Sequence, residues 1–248
     1  MPLAPLVPLV LLTAAVAETP AEVFPPPVPP GGVVIFEDAF DRAERDDAKE
    51  QVGGGWSTNS RARANGHKQA DLEAGALRIT THPTADHGAS LRHAAAFTDG
   101  LVTLRFKLGK GDSLGVDVAD GNDNTVHAGH LMLARVTPKK LSVQDSKTGG
   151  MRKDLRDARK AGTLTAAQKK LIRSKRAEAA VDLAPGVWHT LVVRIVGDTL
   201  TAAVDGGDPV SLTSAGIAHP TKRMIRLAVP KSAWVDDVRV VRLPPAAK

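Results

Sequence analysis

Apolar and polar residues alternate with a period of two along much of this chain. Val102, Leu104, Phe106 and Leu108 are interleaved with Thr103, Arg105 and Lys107, and Leu114, Val116 and Val118 with Gly115 and Asp117. Leu191, Val193 and Ile195 follow the same rule, as do Leu200, Ala202 and Val204, and later Trp234, Asp236, Val238 and Val240. A period of two sends successive side chains to opposite faces of a strand, one toward a core and one toward solvent. Shorter runs at Val33–Glu37, Leu77–Thr81, Leu91–Phe97, Leu131–Val136, Leu141–Asp145 and Met224–Val229 add further strands. About ten short strands, separated by Gly, Asp, Asn and Pro turns and without intervening helices, predict an all-β protein. The expected architecture is a two-sheet antiparallel jelly-roll sandwich over residues 33–243, followed by a short tail, 244–248.

One segment departs from this period. Residues 151–180, MRKDLRDARKAGTLTAAQKKLIRSKRAEAA, are rich in helix formers. Gly162 suits a helix stop. Thr165 and Gln168 have the spacing of a capping box, in which each side chain satisfies the other's orphan backbone N–H. The segment is expected to form two short helices, a hairpin inserted between strands, with few apolar positions (Leu155, Leu171, Ile172) to bury.

The N-terminus carries another signal. Leu3–Val16 is a short apolar run, and Ala15-Val16-Ala17 has the small-x-small pattern of a signal-peptide cleavage site, although no Lys or Arg precedes it. The run is too short and too proline-interrupted for a membrane span. Residues 1–17 are therefore expected to be a signal peptide for a secreted or periplasmic protein. Residues 18–32, rich in proline, are expected to be an extended linker.

Composition sharpens the functional reading. The 248 residues carry 42% hydrophobic residues, enough for a real core, but only 3% aromatics and no cysteine. Disulfides, thiolate metal sites and a cysteine nucleophile are excluded. Few rings remain for stacking on sugars or bases. The formal net charge is +6. Segment 151–180 alone holds ten Lys/Arg against three Asp/Glu, a surplus of seven, so the rest of the chain is slightly acidic. That patch suits an anionic polymer or surface, or is a solvated helical face; nucleic acid is not an expected partner, because the segment lacks interleaved aromatics.

Catalytic motifs are scarce. No GxSxG, HExxH, P-loop or GxGxxG is present, and the E-x-D-x-x-E carboxylate strand of laminarinase-type sandwiches is missing. Glu37-Asp38 and Asp236-Asp237 are adjacent pairs, so each is expected to point to opposite faces and to form no dyad. The Asp120–Asn124 segment offers hard oxygen ligands for calcium, or simply turn chemistry. Trp56 follows three glycines and is either an exposed ring or a closure of the sheet, whereas Trp188 and Trp234 read as core or sheet-face packing. The best candidates are His87, His127 and His130 beside glycines at strand entrances, with Asp117 and Asp145 on nearby strands. Such a cluster can shuttle protons near neutral pH or bind a divalent metal; no other cofactor is indicated.

Several segments taken together resemble the exported bacterial concanavalin A-like (laminin G-like) sandwiches, and most of all the 3-keto-disaccharide hydrolase domain. They are Val34–Arg42, Gly55-Trp56, Leu72–Leu77, His87–Arg92, Val181–His189 with its PG-x-WH strand, Val204-Asp-Gly206 and Asp236–Val240. The resemblance implies a carbohydrate-active sandwich that cleaves a keto-disaccharide by proton abstraction and elimination. His87, His127, His130, Asp117 and Asp145 would supply the base and any metal ligands, and Lys147 the cation. A non-catalytic module that binds polysaccharide or a surface partner is the alternative.

Overall fold

The computed structural model describes residues 25–245. The expected signal peptide and the start of the proline-rich linker lie outside them. In chain order the elements are β1 (Val33–Asp38), β2 (Ser57–Thr58), α1 (Ser60–Arg63), β3 (Ala70–Glu73), β4 (Ala76–Thr80), β5 (Ala89–Phe97), β6 (Gly100–Lys107) and β7 (Leu114–Ala119). After a 3-10 turn at His127–Gly129 come β8 (His130–Thr137), β9 (Lys140–Asp145), α2 (Lys153–Lys160), α3 (Ala166–Ser174) and β10 (Arg176–Ala180). The chain closes with β11 (Trp188–Val196), β12 (Thr199–Val204), β13 (Val210–Thr213), β14 (Lys222–Val229) and β15 (Ser232–Arg242). Eight strands form one sheet in the order β13-β12-β11-β6-β15-β4-β3, with β1 also on β15; seven form the other, β10-β9-β8-β7-β14-β5-β2. The result is an antiparallel β-sandwich.

The alternation explains the packing. Inward positions of the first sheet (Leu104, Phe106, Leu191, Val193, Ile195) meet those of the second (Leu91, Val116, Val118, Ile225, Leu227), and all are at most 1% exposed. Each such side chain contributes about 1.5–3 kcal/mol by leaving water. The core ends at a polar corner. There Asp38 accepts hydrogen bonds from Trp56 Nε1 (2.9 Å), Phe40 N (2.9 Å) and both arms of Arg42 (2.6 and 2.9 Å). Burial opposes ionisation of Asp38, but these donors together outweigh it and hold the carboxyl below its usual range. Trp56 is thus a buried closure of the sandwich, 8% exposed.

Four strands escaped the sequence pattern: β2, β3, β10 and β13. The most informative is β10, at the end of the segment expected to be helical. Arg176–Ala180 has helix-forming composition, yet it pairs with the free edge of β9. Backbone hydrogen bonds to an open edge override a weak local propensity.

The outer face of the first sheet carries the other two tryptophans. Across β4, β15, β6 and β11, Arg78, Trp234, Lys107 and Trp188 lie in one register row. Lys107 Nζ stands 4.4 and 5.0 Å from the two ring centroids, so this face is a cation–π ladder rather than core.

A second correction concerns Asp236 and Asp237. Asp237 has φ +49° and the β15 register shifts there, which turns both carboxylates to one side. Both approach Arg105, at 3.7 and 3.4 Å. Burial, with the adjacent Asp237 charge adding to it, pushes Asp236 up to about 6. A carboxyl whose folded pKa is raised favours the folded state at low pH, and this stability is lost as pH rises through about 6. Asp236→Asn should therefore leave thermal stability unchanged near pH 4 and raise it by about 1 kcal/mol at pH 8, allowing for solvent screening. Thermal melts of both proteins across that range check it; an equal shift at both pH values would contradict the assignment.

Candidate functional site

The outward positions of the second sheet form the floor of the site. One register row runs Ser57, Arg92, Arg226, Asp117, Leu133, Gln144 and Arg176 across β2, β5, β14, β7, β8, β9 and β10. Each of these residues is the polar or outward partner of a buried apolar neighbour, so the alternation that builds the core also lays a hydrophilic floor outside it. Above the β5–β14–β7–β8 portion lies a cleft of about 310 Å³, lined among others by Asn59, Arg92, His87, His127, His130 and Arg226.

At its centre is a hydrogen-bonded triad. Asp117, with a side chain only 6% exposed, lies 2.6 Å from His130 Nδ1 and 3.5 Å from Arg226 Nη1. A carboxylate only accepts, so His130 donates Nδ1–H to it, and in the neutral imidazole Nε2 then carries the lone pair. Arg226 Nη1 is 3.2 and 3.4 Å from the two ring nitrogens and therefore lies against the imidazole. Its other arm donates to Ala128 O at 2.7 Å. Burial and the nearby Arg92 lower the affinity of the Arg226 guanidinium for its proton, while Asp117 opposes that shift.

The turn before β8 brings His127 and His130 together. Ala128 and Gly129 adopt left-handed backbone conformations, φ +50° and +72°, which reverse the strand alternation. The two rings then lie 6.1 Å apart, both on the cleft. Gly129 is required here: a Cβ would lie 2.1 Å from Asp120 O. Burial, then the charges of Arg156 and His130, depress the His127 pKa below the ordinary imidazole range. His87 stands at the open rim and shares a hydrogen bond with Gly88 O through Nδ1, 2.8 Å.

Two further anchors build the walls. Asn59 donates to Gly88 O (2.9 Å) and accepts from Ser90 N (3.0 Å), which ties the β2–α1 turn to β5. Glu50 accepts from Ser60 Oγ (2.8 Å), Gln69 N (3.0 Å) and Ala70 N (2.9 Å) beneath that turn. On the other side, the basic segment packs α2 through buried Leu155, and His127 N donates to Met151 O at 2.9 Å. Two hydrogen bonds complete the capping box of α3, 2.9 and 3.1 Å. The insert thus abuts the histidine turn, with Arg156 near enough to bias His127.

Of the six residues singled out by sequence, the structure brings His87, His127, His130 and Asp117 to this cleft. Asp145 and Lys147 lie elsewhere. Asp145, 1% exposed, accepts from Thr148 N (2.9 Å), Ser214 Oγ (2.6 Å) and Gly216 N (3.1 Å) and so clamps two turns. Lys147 pairs with Asp123 at 3.0 Å and shares a hydrogen bond with His219 at 2.7 Å. The calcium-like segment is occupied in the same way: Asp120 meets His219 (3.1 Å) and Arg223 (3.0 Å), and Asp123 is held down to about 2, where burial is outweighed by Thr125 and Lys147. Among the described residues, no set of three His, Asp or Glu side chains converges as metal ligands.

Arg226, Arg92 and Asn59 were missed. The signal for the two arginines was present, since each is an outward residue in a clear strand: Arg226 lies between buried Ile225 and Leu227, and Arg92 between buried Leu91 and half-buried His93. What was not legible was that β5, β14 and β7 are neighbours.

The triad predicts a specific response to Asp117→Asn. An amide can donate as well as accept, so the Nδ1–H tautomer of His130 is no longer imposed. The substitution also removes the one carboxylate facing Arg226 and should cost about 2–4 kcal/mol of stability. Chemical denaturation and the imidazole ¹⁵N shifts of His130 check both effects; an unchanged tautomer would contradict the role given to Asp117.

No protein-family model matches the chain, and no curated protein sequence matches it. Solved structures do resemble it in fold. SCLam, a non-specific endo-β-1,3(4)-glucanase from family GH16, superposes with a TM-score of 0.57 at 16% identity, over 88% of this chain and 94% of that one. The laminarinase from Rhodothermus marinus gives 0.56 at 14% identity, over 85% and 97%. The endo-β-1,3-glucanase from Pyrococcus furiosus gives 0.53 at 17% identity, over 87% and 96%. At these identities the likeness is one of fold: a concanavalin A-like jelly-roll sandwich.

Proposed function

We propose that this chain is an exported, carbohydrate-active protein that cleaves a glycosidic linkage by proton abstraction and elimination, as in a 3-keto-glycoside hydrolase or lyase. The observation that carries the reading is the Asp117–His130–Arg226 triad on the cleft floor. A sugar C–H beside a carbonyl is acidic enough for an imidazole base when a cation faces the developing enolate. His130 Nε2 takes that proton, and Arg226 neutralises the enolate oxygen. The electron pair then forms a C=C bond as the neighbouring bond to the glycosidic oxygen breaks. The leaving oxygen gains a proton at the open rim, where His87 stands. Water added across the double bond completes a net hydrolysis; without it the reaction is a lyase. Export rests on the apolar run and Ala15-Val16-Ala17, and the sandwich glucanases of similar fold support a sugar as ligand.

A double carboxylate mechanism has less support. Among the described residues no acidic side chain lines the cleft, and Asp117, which lies beneath it, is already bound to His130 and Arg226. The same observation favours the alternative, a non-catalytic glycan-binding module, over a glycosidase with two carboxylates.

The test is incubation with 3-keto disaccharides and their unoxidised parents, following release of the reducing sugar. Wild type should act on the keto form only, and His130→Ala should lower kcat by at least about 100-fold in assays run well below its melting temperature, which the loss of a partner for buried Asp117 lowers. Binding without turnover, equal in both proteins, would instead establish the binding module.

A further inference from the structure

Building on that reading of the cleft, we infer that the glycan it takes is anionic, a chain of carboxylate-bearing uronate sugars. In a uronate the ring C–H at C5 stands beside the carboxylate carbon; with that carboxylate neutralised by arginine, His130 Nε2 takes the proton, and the electron pair forms a C=C bond between C4 and C5 as the bond from C4 to the glycosidic oxygen breaks, the leaving oxygen gaining a proton at the rim. The floor of the cleft carries more positive charge than its one carboxylate, Asp117, balances. Arg92 and Arg226 are direct cross-strand partners on the cleft floor. Side chains so placed start about 5 Å apart, and like charges there destabilise a sheet. Arg226 has Asp117, but Arg92 has only Ser57 Oγ, at 2.9 Å, and no carboxylate within ion-pair distance among the described residues. Further along the same face, Arg135 lowers its affinity for a proton chiefly through burial and then through the charge of Arg176. Its one hydrogen-bond partner on the surface is Ser113, at 3.4 Å.

The walls repeat the sign. Arg63 on α1 lines the cleft, and its charge and that of Arg156 on α2 both act on His127. Arg156 belongs to the segment 151–180, which carries a surplus of seven positive charges. The lining of the cleft contains no tryptophan or phenylalanine, so the stacking on which neutral sugars commonly rely is absent. Guanidinium groups in a row match carboxylates through paired, charge-assisted hydrogen bonds. A bound carboxylate between Arg92 and Arg226 would convert their repulsion into two attractions.

The experiment uses the whole protein and oligomers of galacturonate and of mannuronate, beside neutral β-1,3-gluco-oligosaccharides and 3-keto disaccharides, in calorimetry at low and high salt. Oligouronate should bind, more weakly as salt rises, and Arg92→Gln should weaken it by about ten-fold or more. The same substitution should raise the melting temperature of the free protein by about 1–3 °C, because a like-charge pair is relieved. A residue that merely supports the fold would lower it. If a neutral or keto sugar binds in a His130-dependent way while oligouronates do not, the anionic inference is overturned and the proposed function stands. If no sugar of either kind binds, both fall. Oligouronate binding that Arg92→Gln leaves intact also overturns the inference.

Discussion

Asp117 is a carboxylate buried in the middle of a sheet, and much of the site follows from the need to satisfy it. A buried charge is tolerated only with partners that return what water supplied. The strand neighbours of Asp117 offer no other polar group at its level, so His130 from β8 and Arg226 from β14 must both turn toward it. Satisfying Asp117 fixes the imidazole in one tautomer. It also fixes the guanidinium, whose second arm reaches Ala128 O and holds the left-handed turn that carries His127. One buried carboxylate thus orders three strands and a loop. Its partners are the groups that face the cleft.

The walls are held differently from the floor. The floor belongs to strands whose other faces bury the apolar core, so displacing it would open that core. The walls hang on polar anchors: Glu50 beneath the β2–α1 turn, Asn59 bridging to Gly88 and Ser90, and the Met151–His127 backbone bond joining the basic segment to the histidine loop. Local opening is cheapest where few apolar contacts are lost. A floor fixed by the core keeps His130 and Arg226 in register with each other.

The sandwich was legible because its signal is redundant. Every long strand repeats the same inward apolar choice, as in Leu114-Val116-Val118 or Ile225-Leu227-Val229, and any one of them could fail without changing the result. The short strands had no such repetition: Ser57–Thr58 is too brief to show a period, and Arg176–Ala180 became a strand only because β9 left an edge for it. The histidines could be picked out one by one, beside glycines. Asp145 resembled Asp117 in every local respect, yet it faces Ser214 and Gly216 across a distance of about 70 positions in the chain. No local pattern encodes that. Asp236 and Asp237 misled for the opposite reason, since a single left-handed residue within β15 undid the alternation on which the expectation rested.

The two faces of each strand answer to different demands, and this separates fold from chemistry. Inward residues decide that the chain is a jelly roll, the same architecture as glucanases with which it shares fewer than one residue in five. Outward residues are nearly free of that constraint, so the sheet face can carry an Arg–His–Asp floor without altering the core. The freedom has a limit: a floor residue still costs stability when it repels its cross-strand neighbour. Arg92 beside Arg226 incurs that cost in the free protein with only one carboxylate, Asp117, at hand, and Asp117 already serves His130. A local rule broken on the floor of a cleft lined by histidines is where a fold most often records what it binds.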